Sequence, residues 1–321
     1  MQRCAHVRPL VLHSRSKGSA LQGLGMFVVS RAAECPYCTA HTCSYALRRG
    51  TAPEALVEGL PGAKGQLGDA ETATIRVARS LGRIPVELLE EERAALISAV
   101  GDAQAEMVVF GMCAMGYLNK VMDSIGVELE EEAYLETRNL LDADYATSSK
   151  AGPLLDAKSK GAPNPGPDSL ITKLRIMWAV PGALMLDAKY IKGVPNTWPQ
   201  VGRFLMARLA FDFPFLSGLN SSSFLGKRAI CAIATVLIDN YEPTASVVTV
   251  PIKILAGRVF AAVVGSQVLT EQFERLALAH SVQQYLPAAD ALAAMSPGDL
   301  AGDVSKLPEA LQGLDSANKC W

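Results

Sequence analysis

The stretch GMFVVSRAAECPYCTAHT, residues 25–42, decides how this chain is read. It runs from an apolar segment into Cys35-Pro36-Tyr37-Cys38, with His41 three residues beyond the second cysteine. On a helix, side chains at i and i+3 share a face, so Cys35 and Cys38 can bring their sulfurs within reach of a strained, reversible disulfide. At about 100° per residue, Glu34, Cys35, Cys38, His41, Thr42 and Tyr45 project within an arc of about 120°. A base, two thiols and a hydroxyl would then share one surface. Proline is tolerated in a first helical turn, so Pro36 places both cysteines near the positive end of a helix dipole, which favours thiolate. His41 can add to that by charging, or can take a proton as a base.

With GMFVVSRAAE ahead of it, CPYCTAHT resembles the AhpD-like and carboxymuconolactone decarboxylase superfamily, whose redox members carry a Cys-x-x-Cys pair closely followed by histidine. The likeness extends from roughly residue 20 to 130, through DAETATIRVARSL, the segment from Pro85 to Glu130, and Asn119-Lys120-x-x-Asp123-x-x-Gly126. It implies an all-helical, AhpD-like bundle that assembles as a homo-oligomer and reduces hydroperoxides or protein disulfides. It implies further that Cys38 is the peroxidatic residue and Cys35 its disulfide partner. His41 is then placed to manage protons, and the position of Glu34 one turn before Cys38 makes it a candidate orienter. Helix-dipole reasoning alone favours Cys35 as the thiolate, because it stands nearer the helix start.

Two departures stand out. The family's relay glutamate, twelve residues before the first cysteine, falls on Gly23 here. The histidine follows the second cysteine by three residues where many members have four, and Thr42 fills that other position. Other readings of the motif stay open. Thiolate and imidazole also suit zinc, but Cys43 projects roughly 140° from Cys38 and no second Cys-x-x-Cys closes a tetrahedral site. The thiols can also be simple core hydrophobes.

Composition narrows the remainder. A length of 321 residues points to two domains, and 50% hydrophobic content with only 6% aromatics suits Ala- and Leu-rich helical packing. A net charge of −2 with scattered lysines and arginines offers no basic stripe for nucleic acid. Seven cysteines, unevenly spaced, argue against a secreted disulfide framework and for a reducing, cytoplasmic setting. Cys113 and Cys231 sit in apolar runs and read as core. Cys4 and Cys320 lie near the ends. The longest apolar runs fall short of the roughly 20 residues that cross a bilayer, so no membrane span is expected. No Asp or Glu precedes Glu34, while Arg3, Arg8, Arg15 and Lys17 do, a composition compatible with an organellar address. Gly23-x-Gly25 lacks the third glycine and preceding strand of a dinucleotide loop, so no cofactor is implied.

The coarse reading is helical throughout, with no strand alternation. Asp69 starts a run that stops at Gly82, a helix with Pro85 near its first turn extends to about Val100, and Asp102 starts another that stops at Gly126. Residues 1–139 form the domain with the cysteine pair, and residues 140–169, rich in Gly, Pro and Ser, read as a linker or exposed loop. Residues 170–300 read as a second helical domain whose pattern resembles a diverged copy of the first without the pair, and 301–321 as a tail. His280 there, with Trp178, Trp198 and the Asp212 to Phe215 corner, reads as structural.

The leading function is thus a thiol peroxidase or disulfide oxidoreductase that takes a hydroperoxide as substrate and an external thiol or dithiol protein as reductant. A helical binding or assembly protein that has lost turnover is the alternative from another class. A decarboxylase or lactone enzyme of the same superfamily is a third, disfavoured because such members do not depend on a Cys-x-x-Cys pair.

Overall fold

The computed structural model describes residues 18–59, 67–147, 198–209 and 248–295, with isolated positions between 211 and 241. Among the described residues the chain is all-helical. It divides into two compact units, Met1–Leu186 and Asp187–Trp321.

The first unit is built around α1, Gly18–Ala32, whose residues from Leu21 to Ser30 are all buried. A helix apolar on every side must be wrapped by others. Three do this: α2 (Pro36–Arg48), α4 (Asp69–Gly82) and α6 (Asp102–Ser124), with α3 (Pro53–Glu58) beside them. Small residues let the backbones meet. A side chain at Gly23 would place its Cβ 2.9 Å from the Ala46 Cα, and one at Gly25 would strike the Met112 side chain at 2.6 Å. The face of α6 turned inward is Ala105, Met107, Val108, Met112, Met115 and Asn119, a stripe at helical spacing. Two further helices complete the unit, α5 (Glu90–Val100) and α7 (Glu131–Thr147).

The helix starts and stops follow local chemistry. Both α2 and α3 begin with proline in the first turn. Gly50, Gly126 and Gly265 sit at positive φ just beyond helix ends, where the left-handed conformation closes the last carbonyls. Pro85, however, is not in the first turn of α5. It lies in the preceding segment after a cis bond to Ile84, and the helix starts at Glu90. That start is set by Glu92, which accepts from the Leu89 backbone N–H at 3.2 Å and the Ser80 hydroxyl at 2.8 Å, with Glu90 and Glu91 also at the positive dipole end.

Leu140 to Thr147 are likewise helical, so the segment read as a linker from residue 140 begins inside α7. The reason is the apolar stripe: Leu141 is buried in the same core as Leu129 and Tyr134. The rest of 140–169 lies outside the described residues, as do Cys4, Cys231, Cys320 and Trp178.

The second unit contains α8 (Trp198–Leu209), α9 (Val250–Val263), α10 (Gln267–Ala279) and, after a short 3₁₀ turn at Gln283–Tyr285, α11 (Leu286–Ala293). Val201, Leu205 and Leu209 of α8 enter a core with Phe211, Phe213, Ile254, Phe273 and Leu276, so Phe213 packs as expected, while Asp212, Pro214 and Phe215 lie outside the described residues. Ser266 caps α10 by accepting from the Leu269 N–H. Arg258, nearly buried, pairs with Asp290 at 2.8 Å. His280 ends α10. No helix among the described residues is long and apolar enough to cross a membrane.

The Gly23 contact has a measurable consequence. A glutamate placed there forces a side chain into backbone at 2.9 Å and buries a charge. Gly23→Glu is expected to lower stability by more than about 2 kcal/mol in urea unfolding.

Candidate redox site

The cysteine pair is positioned by the turn between α1 and α2. The Cys35 N–H donates to Ser30 O at 3.2 Å and the Glu34 N–H to Arg31 O at 3.1 Å, the paired bonds of a Schellman closure. Glu34 occupies the left-handed position of that closure, φ 55°, where glycine is usual. Cys35 therefore closes α1 and, with φ −96° and ψ 101°, serves as N-cap of α2. Its carbonyl accepts from the Thr39 N–H at 2.9 Å and the Thr39 hydroxyl at 2.8 Å.

One turn on, Cys38 meets Cys35 at a separation of 3.2 Å, and the two are free thiols without a disulfide. A sulfur pair at that distance shares a hydrogen bond. The Cys38 thiol, donating to Cys35, holds the Cys35 pKa below the ordinary thiol value; burial opposes this, the Cys38 backbone N–H assists, and Asp123 opposes it. Cys38 is pushed far up by the same bond, then by burial and by the negative charges of Cys35 and Asp123, with Lys120 working the other way. Of the two, Cys35 is therefore the thiol that ionises more readily, in the sense that the dipole argument anticipates. Both sulfurs are buried, at 0% and 3% exposure.

Two α6 residues complete the electrostatics. Asp123 works against ionisation of both cysteines, and Lys120 lowers the pKa of Cys38. Lys120 also lines an open depression of about 480 Å³ together with Ala32, Ala33, Glu34, Ile84 and Pro85. Beside them Asn119 is fully buried, with neither amide atom hydrogen-bonded.

His41 is placed differently from the single-face projection. It is exposed, and its Nε2 lies 2.9 Å from Glu130 Oε2, while the Tyr37 hydroxyl donates to Glu130 Oε1 at 3.4 Å. The Tyr37 and His41 ring centroids lie 4.5 Å apart with the planes tilted by 49°. Burial works against the Glu130 carboxylate, but its own backbone N–H, His41 and Tyr37 together hold its pKa below the usual carboxylate value. Further along the α2–α7 seam, Glu136 accepts from Ser44 at 2.6 Å and Arg48 at 3.0 Å. These bonds tether the helix that carries the cysteines.

No protein-family model, curated protein or solved structure matches this chain.

Of the candidate residues, Cys35 and Cys38 come together, His41 sits one turn on and turns to Glu130, and Glu34 leaves the shared face because it precedes the helix. Glu34 is exposed on the rim of the depression. Thr42 donates to Cys38 O at 2.6 Å, a backbone bond that takes it out of proton transfer. Tyr45 is directed to Arg49 by a cation–π contact. Cys43 is buried, which pushes its thiol up to about 12. Cys113, expected in the core, is exposed, since the α6 core stripe passes through Met112 and Met115 instead. Among the described residues no group of three or more His, Cys, Asp or Glu is arranged to hold a metal ion.

Asp123, Lys120 and Glu130 are the residues that motif reasoning left without a role. The only signal for the first two is the Asn119-Lys120-x-x-Asp123 string.

Two outcomes follow. Iodoacetamide at about pH 7 labels Cys35 ahead of Cys38 and leaves Cys43 last, read by peptide mass spectrometry, because thiolate and not thiol is the nucleophile. Glu34→Gly removes a left-handed glutamate and is expected to retain that labelling order while gaining up to about 1 kcal/mol in urea unfolding.

Proposed function

We propose that this chain is a thiol peroxidase that reduces hydroperoxides through Cys35 and Cys38. The observation that carries the reading is a free, hydrogen-bonded cysteine pair 3.2 Å apart at a helix N-terminus. The depression beside Glu34 and Lys120 is the approach for substrate.

The Cys35 thiolate attacks the outer oxygen of the hydroperoxide and breaks the O–O bond. Cys35 becomes sulfenic acid, and the departing alkoxide takes a proton to leave as alcohol. The Cys38 sulfur then attacks the Cys35 sulfur as its own proton and the hydroxyl leave as water, which forms the disulfide. An external dithiol reopens it by exchange, with its two electrons restoring both thiols. This order assigns the oxygen-accepting role to Cys35, whereas the family resemblance assigns it to Cys38. The charge distribution favours Cys35, and Cys38 is one turn away with its proton held.

The His41–Glu130–Tyr37 cluster holds α2 to the segment before α7 and keeps an ionisable ring at the surface near the pair. The second helical unit serves as scaffold. An odd number of cysteines fits a reducing compartment such as the cytoplasm, and exposed Cys113 and Tyr117 on α6 suit contact in a homo-oligomer.

Burial of both sulfurs favours a second reading, a helical binding protein without turnover. Hydrogen peroxide consumption with dithiothreitol separates the two. Turnover is expected in the unmutated protein and its loss in Cys35→Ser and Cys38→Ser, with sulfenic acid trapped on Cys35 in Cys38→Ser. Sulfenic acid on Cys38 in Cys35→Ser would restore the family order, and no consumption by unmutated protein would leave the binding reading.

A further inference from the structure

Asn119 on α6 is fully buried, and neither its amide nitrogen nor its amide oxygen makes a hydrogen bond. Its helix neighbours Met115, Leu118 and Met122 all join the core that holds Cys35 and Cys38. Buried polar groups are nearly always satisfied, and an exception in a folded protein points to a bound molecule, stored strain or a catalytic role.

Packing fixes the height of this amide. Helix α6 runs beside α1 in the same direction: the Gln22 amide donates to Met107 O at 3.4 Å, a Cβ at Gly111 would meet Gln22 at 2.8 Å, and one at Gly25 would meet Met112 at 2.6 Å. Both helices rise about 1.5 Å per residue, so an equal advance along each from the Gly111–Gln22 contact brings Asn119 level with Ser30. The Ser30 carbonyl is the acceptor of the Cys35 N–H. The open depression agrees with this register, since Lys120 lines it together with Ala32, Ala33 and Glu34. Each of two rim residues adjoins a fully buried one: Cys35 follows Glu34, and Asn119 precedes Lys120. A thiol and a partnerless amide thus stand behind the same opening.

A carboxamide presents an acceptor oxygen and donor hydrogens in one plane. A hydroperoxide group is its complement, because the outer oxygen has a hydrogen to give and the inner oxygen accepts one as charge builds on it. An anion would engage only the donors, and a cation only the acceptor.

We propose that Asn119 is a catalytic residue that binds the hydroperoxide group, accepting from the outer O–H through Oδ1 and donating through Nδ2 to the departing oxygen. The proposal rests on the peroxidase reading. The S–O bond forms as O–O breaks, with the Cys35 sulfur losing two electrons and the peroxide gaining them. Asn119 keeps its own protons, and the departing oxygen takes one from water at the opening. Such an amide weakens the resting fold, because its lost hydration is not replaced until substrate binds. Stability and turnover therefore move in opposite directions when it is removed.

The test compares hydrogen peroxide consumption with dithiothreitol, iodoacetamide labelling of Cys35 and urea unfolding in the unmutated chain, Asn119→Leu and Asn119→Ala. Turnover is expected to fall about 100-fold in both variants, the loss typical of one donor to a developing oxyanion. Cys35 labelling is expected to stay unchanged, because iodoacetamide has no peroxide oxygens for the amide to hold, and the urea midpoint of Asn119→Leu to equal or exceed that of the unmutated chain. Turnover that falls no further than labelling places the amide on the thiol and overturns the proposal. If Asn119→Leu unfolds or its midpoint drops, Asn119→Ala, which adds no bulk, decides by the same turnover and labelling readings. Loss of the fold in both variants gives the amide a structural partner and overturns the proposal. No consumption by the unmutated protein overturns the peroxidase reading and the proposal together, whereas consumption unchanged in folded Asn119→Leu overturns the proposal alone.

Discussion

The contact of α1 with α2 sets the position of everything else in the first unit. With residues from Leu21 to Ser30 all buried, α1 has no solvent face, and α2 lies so close that Gly23 touches the Ala46 backbone. The turn that makes this possible is short, and Cys35 serves both helices, as the last residue of one closure and the first cap of the next. A sulfur at that point is held by backbone hydrogen bonds on both sides. Its place near the helix start is thus a product of helix packing, not of any ligand.

Burial of that sulfur creates the chemistry. In a medium of low dielectric, two thiols 3.2 Å apart do not both ionise readily, so ionisation of one raises the pKa of the other. The Cys38 thiol lowers the pKa of Cys35, and Cys35 raises that of Cys38. Asp123 and Lys120 then act with opposite signs on the same pair. By contrast, Cys43, equally buried but without a partner thiol, is driven the other way by desolvation alone. The difference between the two shifts is a neighbour, not exposure.

The same close packing limits what position 23 can hold. A glutamate at position 23 would need room that Ala46 and Thr51 already occupy. His41, drawn to Glu130, contributes to holding α2 against the segment leading into α7.

Read alone, the sequence determined what is local. Proline at helix starts, glycine at Gly126, the stripe of α6 and the i, i+3 spacing of Cys35 and Cys38 all depend on residues within a turn or two of each other. It misjudged Glu34, because a left-handed non-glycine residue leaves no compositional mark, and Pro85, whose neighbours pass its capping role on to Glu92. It also placed Cys113 in the core, since an apolar run does not reveal which of its faces is turned inward. Tertiary structure alone decided that Asp123 and Lys120 meet the cysteines and that Glu130 takes His41. Those partners lie some ninety residues away along the chain, and only the burial of α1 among its neighbours brings α6 and the start of α7 to the end of α2.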